Sequence, residues 1–194
     1  MNRLHRRLCA SGPWRRHVRE GLLPWALEGI DLGANVLEIG PGPGVTTDLL
    51  RRRVVHLTCV EIDPGLAEAL GRRMAGAPVT VRCEDATALS APDASFDGAA
   101  CFTMLHHVPS PDLQDRLLGE VARVLRPGAW FAGADSLPGV AMRVLHLFDT
   151  MVLVDPASFP SRLERAGFTD IRVEAGRHAF RFAGRREALP GGNG

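Results

Sequence analysis

The feature that most constrains this chain is a glycine-rich turn between a short apolar run and a helical pattern, within residues 36–47. Glycine occupies every second position of the turn, at Gly40, Gly42 and Gly44. A strand, a glycine-rich turn and a helix start direct backbone N–H groups and the positive end of a helix dipole towards one ligand. Glycine lets that ligand approach the backbone because it has no Cβ. The pattern therefore predicts a binding loop after the first strand.

An acidic residue follows the second apolar run at a distance typical of ribose recognition. Glu61 lies 21 residues after Gly40, and a carboxylate about 20 residues beyond such a turn accepts hydrogen bonds from ribose hydroxyls. Asp63 competes for this role, but it precedes Pro64 and therefore matches a helix N-cap. We predict that Glu61 binds the ribose and that Asp63 caps the helix.

Two further features select among nucleotide-binding families. Val45 stands where the dinucleotide fingerprint requires its third glycine, which disfavours a nicotinamide oxidoreductase, and the chain has no lysine for a P-loop. Glu38 lies inside the first strand, just before the glycines. The resulting Glu-x-Gly-x-Gly-x-Gly sequence resembles motif I of the class I S-adenosylmethionine-dependent methyltransferases.

The resemblance to this family covers about residues 35–183. Residues 83–86 end the third strand, where the family has an Asp that accepts a hydrogen bond from the adenine amino group, and residues 103–109 resemble the loop after the fourth strand. The resemblance implies S-adenosyl-L-methionine as the cofactor. It also implies a set of cofactor-binding residues: Glu38, Gly40, Pro41, Gly42, Gly44, Glu61, Ile62, Asp85, Ala86 and Thr103.

Apolar strand patterns alternate with helical ones from residue 35 onward, which predicts an α/β fold with a parallel sheet. The last two strands are joined by the short connection 175–177, which predicts a hairpin and hence one antiparallel strand. The family resemblance implies a Rossmann-like, seven-stranded, mostly parallel sheet of order 3-2-1-4-5-7-6 with helices on both faces. The predicted strands are 35–39, 56–62, 79–83, 97–102, 129–134, 169–175 and 178–183. The predicted helices are 44–53, 64–75, 111–125 and 157–166, preceded by one helix, or a pair broken at Pro24, over roughly 13–29.

Length and composition bound the organisation of the chain. Its 194 residues, 45% of them hydrophobic, are enough for one well-cored domain. We expect an N-terminal helical cap over 1–34, the methyltransferase domain over 35–188 and a flexible tail over 189–194. The four scattered cysteines form no metal or disulfide pattern, and neither a secretory signal nor a membrane span is evident. These features predict a cytoplasmic protein without a metal site.

His106 and His107 follow the fourth strand and are expected at the mouth of the ligand crevice. A histidine there is suited to act as a general base. The alternative is structural: one ring packs and the other caps the next helix. The apolar segment 138–154 occupies the place where the family inserts a substrate lid. With Trp14 and His17 on the N-terminal helix, it predicts a mostly apolar acceptor pocket.

The sequence thus predicts a methyltransferase that acts on a small, apolar or aromatic organic molecule. The net charge of +1 gives no reason to expect a nucleic-acid partner. The alternative is a non-catalytic S-adenosylmethionine-binding sensor or partner subunit, which would lack an open path from the sulfonium to a solvent-connected pocket. The atom that accepts the methyl group, the use of a base and the oligomeric state stay open.

Overall fold

A computed structural model describes residues 11–139 and 150–188. Its centre is a single seven-stranded sheet. The strands are β1 (Asn35–Ile39), β2 (His56–Glu61), β3 (Val79–Cys83), β4 (Phe96–Phe102), β5 (Leu125–Ser136), β6 (Phe168–Ala175) and β7 (Ala179–Arg186). Their order is β3-β2-β1-β4-β5-β7-β6. β7 pairs antiparallel with both of its neighbours, while the other pairings are parallel. The predicted Rossmann-like topology is confirmed.

Two of the longer helices begin where proline and a capping side chain coincide. Asp63 accepts a hydrogen bond from the Leu66 amide at 3.0 Å, and Ser110 accepts from the Leu113 amide at 3.2 Å. Proline has no amide hydrogen to lose in a first helical turn, so these starts are well defined. The helices are α1 (Gly12–His17), α2 (Leu23–Ala26), α3 (Thr47–Leu50), α4 (Pro64–Arg73), α5 (Pro111–Val124) and α6 (Phe159–Arg165). A π-helical turn (Val18–Leu22) joins α1 to α2, and a 3-10 turn (Leu105–His107) precedes α5.

The sheet is covered on both faces by apolar side chains. Leu37 and Ile39 of β1 belong to the core on the face of α5 and α6, whereas Val36 belongs to the core on the face of α2 and α4. This alternation follows from the period of two along a strand. The π-helical turn and α2 bury Val18 and Leu23 in the second core. Residues 12–26, which comprise α1, the π-helical turn and α2, are called the N-terminal helix below, and they pack on this face of the sheet.

Two element predictions are wrong in extent. The helix predicted over 44–53 is a single α-helical turn, Thr47–Leu50, between non-helical turns. The strand predicted over 129–134 runs from Leu125 to Ser136, so β5 begins four residues earlier and ends two residues later than predicted. Residues 140–149 of the predicted lid, 1–10 of the predicted cap and the tail 189–194 lie outside the described residues.

Candidate active site

The glycine-rich loop turns sharply through left-handed backbone. Gly40, Gly42 and Gly44 have φ values of 62°, 54° and 79°, a region that other residues rarely adopt. A Cβ at Gly40 would overlap the Met104 side chain, and one at Gly44 would overlap the guanidinium of Arg73. Left-handed backbone therefore favours glycine at both positions, and close packing against Met104 adds to this at Gly40.

Glu38 holds this loop from inside the sheet. Its carboxylate is buried and accepts hydrogen bonds from the hydroxyls of Thr46 and Thr47, the latter at 2.6 Å. The Cys59 thiol, paired with Glu38 in the β1–β2 register, donates to the same carboxylate at 3.3 Å. Burial raises the pKa of Glu38. Glu38 is not among the described residues that line the cavity, so a direct contact with the cofactor's ammonium group stays a prediction.

Glu61 ends β2 beside the glycine-rich loop. One carboxylate oxygen accepts from the Gly42 amide and the other from the Asp63 amide, both at 3.0 Å. A carboxylate offers about four acceptor positions, so each oxygen keeps one for a further donor in the cavity. The Asp63 carboxylate instead accepts from the Leu66 amide at the start of α4. The predicted separation of roles, ligand-facing acid and helix cap, is consistent with this geometry.

The end of β3 supplies the next part of the cavity wall. Asp85, Ala86 and Ile62 line the cavity. One carboxylate oxygen of Asp85 accepts from the Thr87 amide at 2.8 Å and so stabilises a turn. The second oxygen takes no part in that bond. Ile62 is 67% exposed, which is unusual for a large apolar side chain beside a cavity and suits the face of a flat ring.

The loop after β4 separates the two candidate bases. Thr103 has a φ of 50°, a strained value for a β-branched residue that turns the chain towards the cavity. Met104 and His107 line the cavity with it, but His106 does not. His106 is 2% exposed and its ring bonds to Asp135. The expectation that both histidines lie at the mouth of the crevice thus holds in position for His107 alone, because a buried carboxylate draws the His106 ring into the protein.

Part of the cavity wall is apolar. The cavity, of about 300 Å³, is lined by Trp14, Val18 and Leu22 of the N-terminal helix and by Leu113 and Leu117 of α5. Trp14 was expected in this wall. His17 is not among the described lining residues, and its ring lies against that of Trp14 with 5.4 Å between centroids. The π-helical turn, which adds a residue to the helical repeat, had no clear sequence signal.

The charge of the lining fits a cationic ligand. Among the described lining residues, four are carboxylates and none is an arginine. S-adenosylmethionine carries a sulfonium and an ammonium, so this environment suits it. The four lining carboxylates belong to Glu61, Asp63, Glu84 and Asp85.

Cys101 of β4 is not suited to act as a nucleophile. Burial and the carboxylates of Asp135 and Glu38 raise the pKa of its thiol, which keeps the thiol protonated and a poor nucleophile.

A sequence model of known proteins, described as "Methyltransferase domain", matches residues 37–133, half of the chain. The chain belongs to the class I S-adenosylmethionine-dependent methyltransferases. This is the family that its glycine-rich motif resembles.

Curated relatives share the same half of the chain. A ubiquinone biosynthesis O-methyltransferase of Xylella fastidiosa is 34% identical over 99 residues, which are 50% of this chain and 39% of that enzyme. An uncharacterised methyltransferase of Mycobacterium bovis is 31% identical over 97 residues, 50% of this chain and 48% of that protein. The chain thus spans less than half the length of these curated relatives.

Solved structures share the fold at low sequence identity. The N-methyltransferase NodS of Bradyrhizobium japonicum, in complex with S-adenosyl-L-homocysteine, has a TM-score of 0.69 at 18% identity over 93% of this chain and 90% of that one. A Haloferax volcanii methyltransferase in complex with the Trm112 activator has a TM-score of 0.73 at 15% identity, covering 96% and 99%. These likenesses concern the fold alone.

The described residues offer neither a membrane-spanning helix nor a metal-binding cluster. Across 11–139 and 150–188, no helix is both long and apolar enough to cross a membrane. Over the same ranges, no three His, Cys, Asp or Glu side chains are grouped so that they could hold a metal ion.

Proposed function

We propose that this methyltransferase acts on a hydroxyl group of a small, apolar or aromatic molecule, with His107 as the general base. One observation carries the proposal. A single cavity is lined by carboxylates, by the glycine-rich loop and by apolar side chains of two helical segments, and His107 is the histidine among its described lining residues. We assign the carboxylates and the glycine-rich loop to a cofactor end, and the apolar side chains with His107 to an acceptor end. Apolar lining beyond the partners of the cofactor favours an enzyme over a sensor, because a sensor needs no acceptor pocket.

The cofactor end offers partners for the ribose and the adenine of S-adenosylmethionine. Glu61 has free acceptor positions for the ribose hydroxyls, and Asp85 has one for the adenine amino group. Ile62 and Ala86 offer apolar contact to the adenine ring. Glu38 acts through the glycine-rich loop, whose helix start it holds. When bound, the cofactor supplies an electrophilic methyl group on a positively charged sulfur.

The acceptor end is built for a molecule without a negative charge. Its wall consists of Trp14, Val18, Leu22 and Leu113, which exclude water and hold a flat apolar body in line with the methyl group. His107 takes the proton of the hydroxyl group, which makes the oxygen a better nucleophile. The Xylella relative, named for O-methylation in ubiquinone biosynthesis, supports an oxygen acceptor.

A matched set of acceptors tests this proposal. One aromatic scaffold carrying a hydroxyl, an amine or a carboxylate would be offered with S-adenosylmethionine, and release of S-adenosylhomocysteine measured. We expect turnover of the hydroxyl compound, and a drop of about 100-fold in kcat for His107→Ala, the lower end of a general base's usual contribution. Turnover of the amine but not the hydroxyl, or full activity of His107→Ala, would contradict the proposal.

A further inference from the structure

A buried carboxylate lies directly behind the histidine turn. Asp135 is 1% exposed and His106 is 2% exposed. The β4–β5 register pairs Phe102 with Ala134, so Asp135 is the next residue along β5, at the carboxyl edge of the sheet where the loop after β4 begins. The fold thus places this side chain beside the 3-10 turn, Leu105–His107.

Asp135 forms hydrogen bonds with both the backbone amide and the ring of His106. One carboxylate oxygen accepts from the His106 backbone amide at 3.1 Å. The other bonds to Nδ1 of the His106 ring and accepts from the Ser136 amide at 2.6 Å. A buried carboxylate is costly unless it is fully hydrogen-bonded, so Nδ1 carries a proton that it donates to Asp135. Both the path of the backbone and the plane of the ring are fixed by one side chain.

The fixed His106 ring in turn supports His107. The two rings lie with centroids 4.3 Å apart and planes inclined by 39°. The rest of the turn is held from the other side, where Gln114 donates to the Leu105 carbonyl at 3.1 Å and Val152 donates to the His106 carbonyl at 2.8 Å. His107 therefore lines the cavity, and behind it the ring of His106 is bonded to Asp135 of β5.

We propose that Asp135 is a positioning residue for methyl transfer: through the amide and ring of His106, it sets the place and orientation of the His107 ring at the acceptor end of the cavity. The inference rests on the proposed function in one respect, the role of His107 as base. A ring displaced by about 1 Å loses a large part of its rate contribution, so the effect is expected in the chemical step.

Kinetics of variants separate positioning from simple support of the fold. Asp135→Asn keeps an oxygen for the His106 amide but presents an amide N–H₂ group to the ring. We expect kcat to fall about tenfold or more, while acceptor KM and the Kd for S-adenosylhomocysteine stay within about twofold. On a His107→Ala background the same substitution should change kcat by less than about twofold, because residues that act as one unit are not additive.

Asp97→Asn is the matched control. Asp97 also accepts from a backbone amide, that of Asn35 at 2.9 Å, but at the opposite end of β4. It should lower the melting temperature without a selective loss of kcat. Equal losses for Asp135→Asn in both backgrounds would overturn the proposal. If Asp135→Asn does not fold, His106→Gln, which keeps the amide contact and loses the ring, must reproduce the selective loss in kcat, and normal kcat in that variant would also overturn it.

A spectroscopic measurement separates this inference from the proposed base. Side-chain NMR signals of the His107 ring, assigned with His107→Ala, would be recorded at fixed pH for the wild type, Asp135→Asn and Asp97→Asn. We expect the signals to shift and broaden in Asp135→Asn alone, and unchanged signals there would refute the positioning role. Full activity of His107→Ala would instead overturn the base while leaving this measurement to decide on Asp135.

Discussion

The substitution of Glu61 by alanine tests the division of labour between two neighbouring acids. In the structure, Glu61 holds the amides of Gly42 and Asp63, each at 3.0 Å. Hydrogen bonds to a charged group contribute roughly 1.5–3 kcal/mol each. Because both amides lie at the cavity, water replaces part of what is lost. We therefore expect Glu61→Ala to lower the free energy of unfolding by about 2 kcal/mol in total.

The same substitution should weaken cofactor binding more than any nearby change. It removes a charged acceptor for two ribose hydroxyls and releases the Gly42 turn, a loss on the order of 2 kcal/mol, or about 30-fold in Kd. Asp63→Ala removes the cap on α4 and should lower the free energy of unfolding by about 1 kcal/mol. The Kd of that variant should change by less than about threefold.

Calorimetry with S-adenosylhomocysteine and urea denaturation measure the two quantities separately. Glu61→Gln is the matched variant, since it keeps one acceptor oxygen but places an N–H₂ group against a backbone amide, and it should be intermediate in Kd. A larger loss of affinity in Asp63→Ala than in Glu61→Ala would reverse the assignment of the two acids. An unchanged Kd in Glu61→Ala, with reduced stability, would leave Glu61 as a purely structural residue.

Three more predictions concern the loop and its supports. Gly40→Ala should lower the free energy of unfolding by about 2 kcal/mol, because it places a side chain on left-handed backbone and brings its Cβ into overlap with Met104. Adding Met104→Ala should restore part of this loss in urea denaturation, and a purely additive loss in the double variant would contradict the reasoning. Burial raises the pKa of Glu38, so its contribution to stability is fully present below the unfolded value near 4.5 and is lost as pH rises through the native value. Relative to Glu38→Gln, the wild type should lose up to ~1.4 kcal/mol per pH unit in that window, and a difference that is flat with pH would refute it. Arg73 donates to two carbonyls of the glycine-rich loop at 2.9 and 3.1 Å, so Arg73→Ala should weaken S-adenosylhomocysteine binding about fivefold. The control is Arg72→Ala, whose ion-pair partner is an exposed residue of the same helix, and it should leave the Kd unchanged. An equal loss of affinity in both variants would contradict a role for the loop contact.

Sequence patterns predicted the sheet well because local and global signals agree there. β1 and β3 have the predicted bounds: β1 is a mostly apolar run that ends at a glycine, and β3 alternates apolar with polar residues before an acidic one. The helix after the glycine-rich loop was overestimated. Leu49 and Leu50 indicated a helix, but the α-helix runs only from Thr47 to Leu50 and is flanked by turns. The residues at its start, Thr46 and Thr47, donate their hydroxyls to Glu38 of β1, a long-range contact that the local pattern does not contain.

The candidate site divides in the same way. The helix cap at Asp63 and the strand end at Glu61 could be predicted from sequence, because both are local signals. The ribose contact of Glu61 stays a prediction. The partnership of Asp135 with His106 could not be predicted, since 29 residues separate them and only the β4–β5 register brings them together. A signal was present: Asp135 directly follows the apolar run of β5, just as Glu61 ends that of β2. An acid in that position merited the same attention.

Three buried or nearly buried carboxylates at this edge of the sheet share one design. Glu38, Glu61 and Asp135 each come from a strand, and each holds the backbone or hydroxyl groups of a loop: the helix start after β1, the Gly42 turn and the histidine turn after β4. Apolar packing is indifferent to direction, whereas a hydrogen bond to a buried carboxylate is directional. The carboxylates therefore fix where the loops lie even though they are expensive to bury. A site that must align a donor methyl group with an acceptor atom needs such fixed loops, which accounts for ionisable groups buried among the apolar side chains of the central strands.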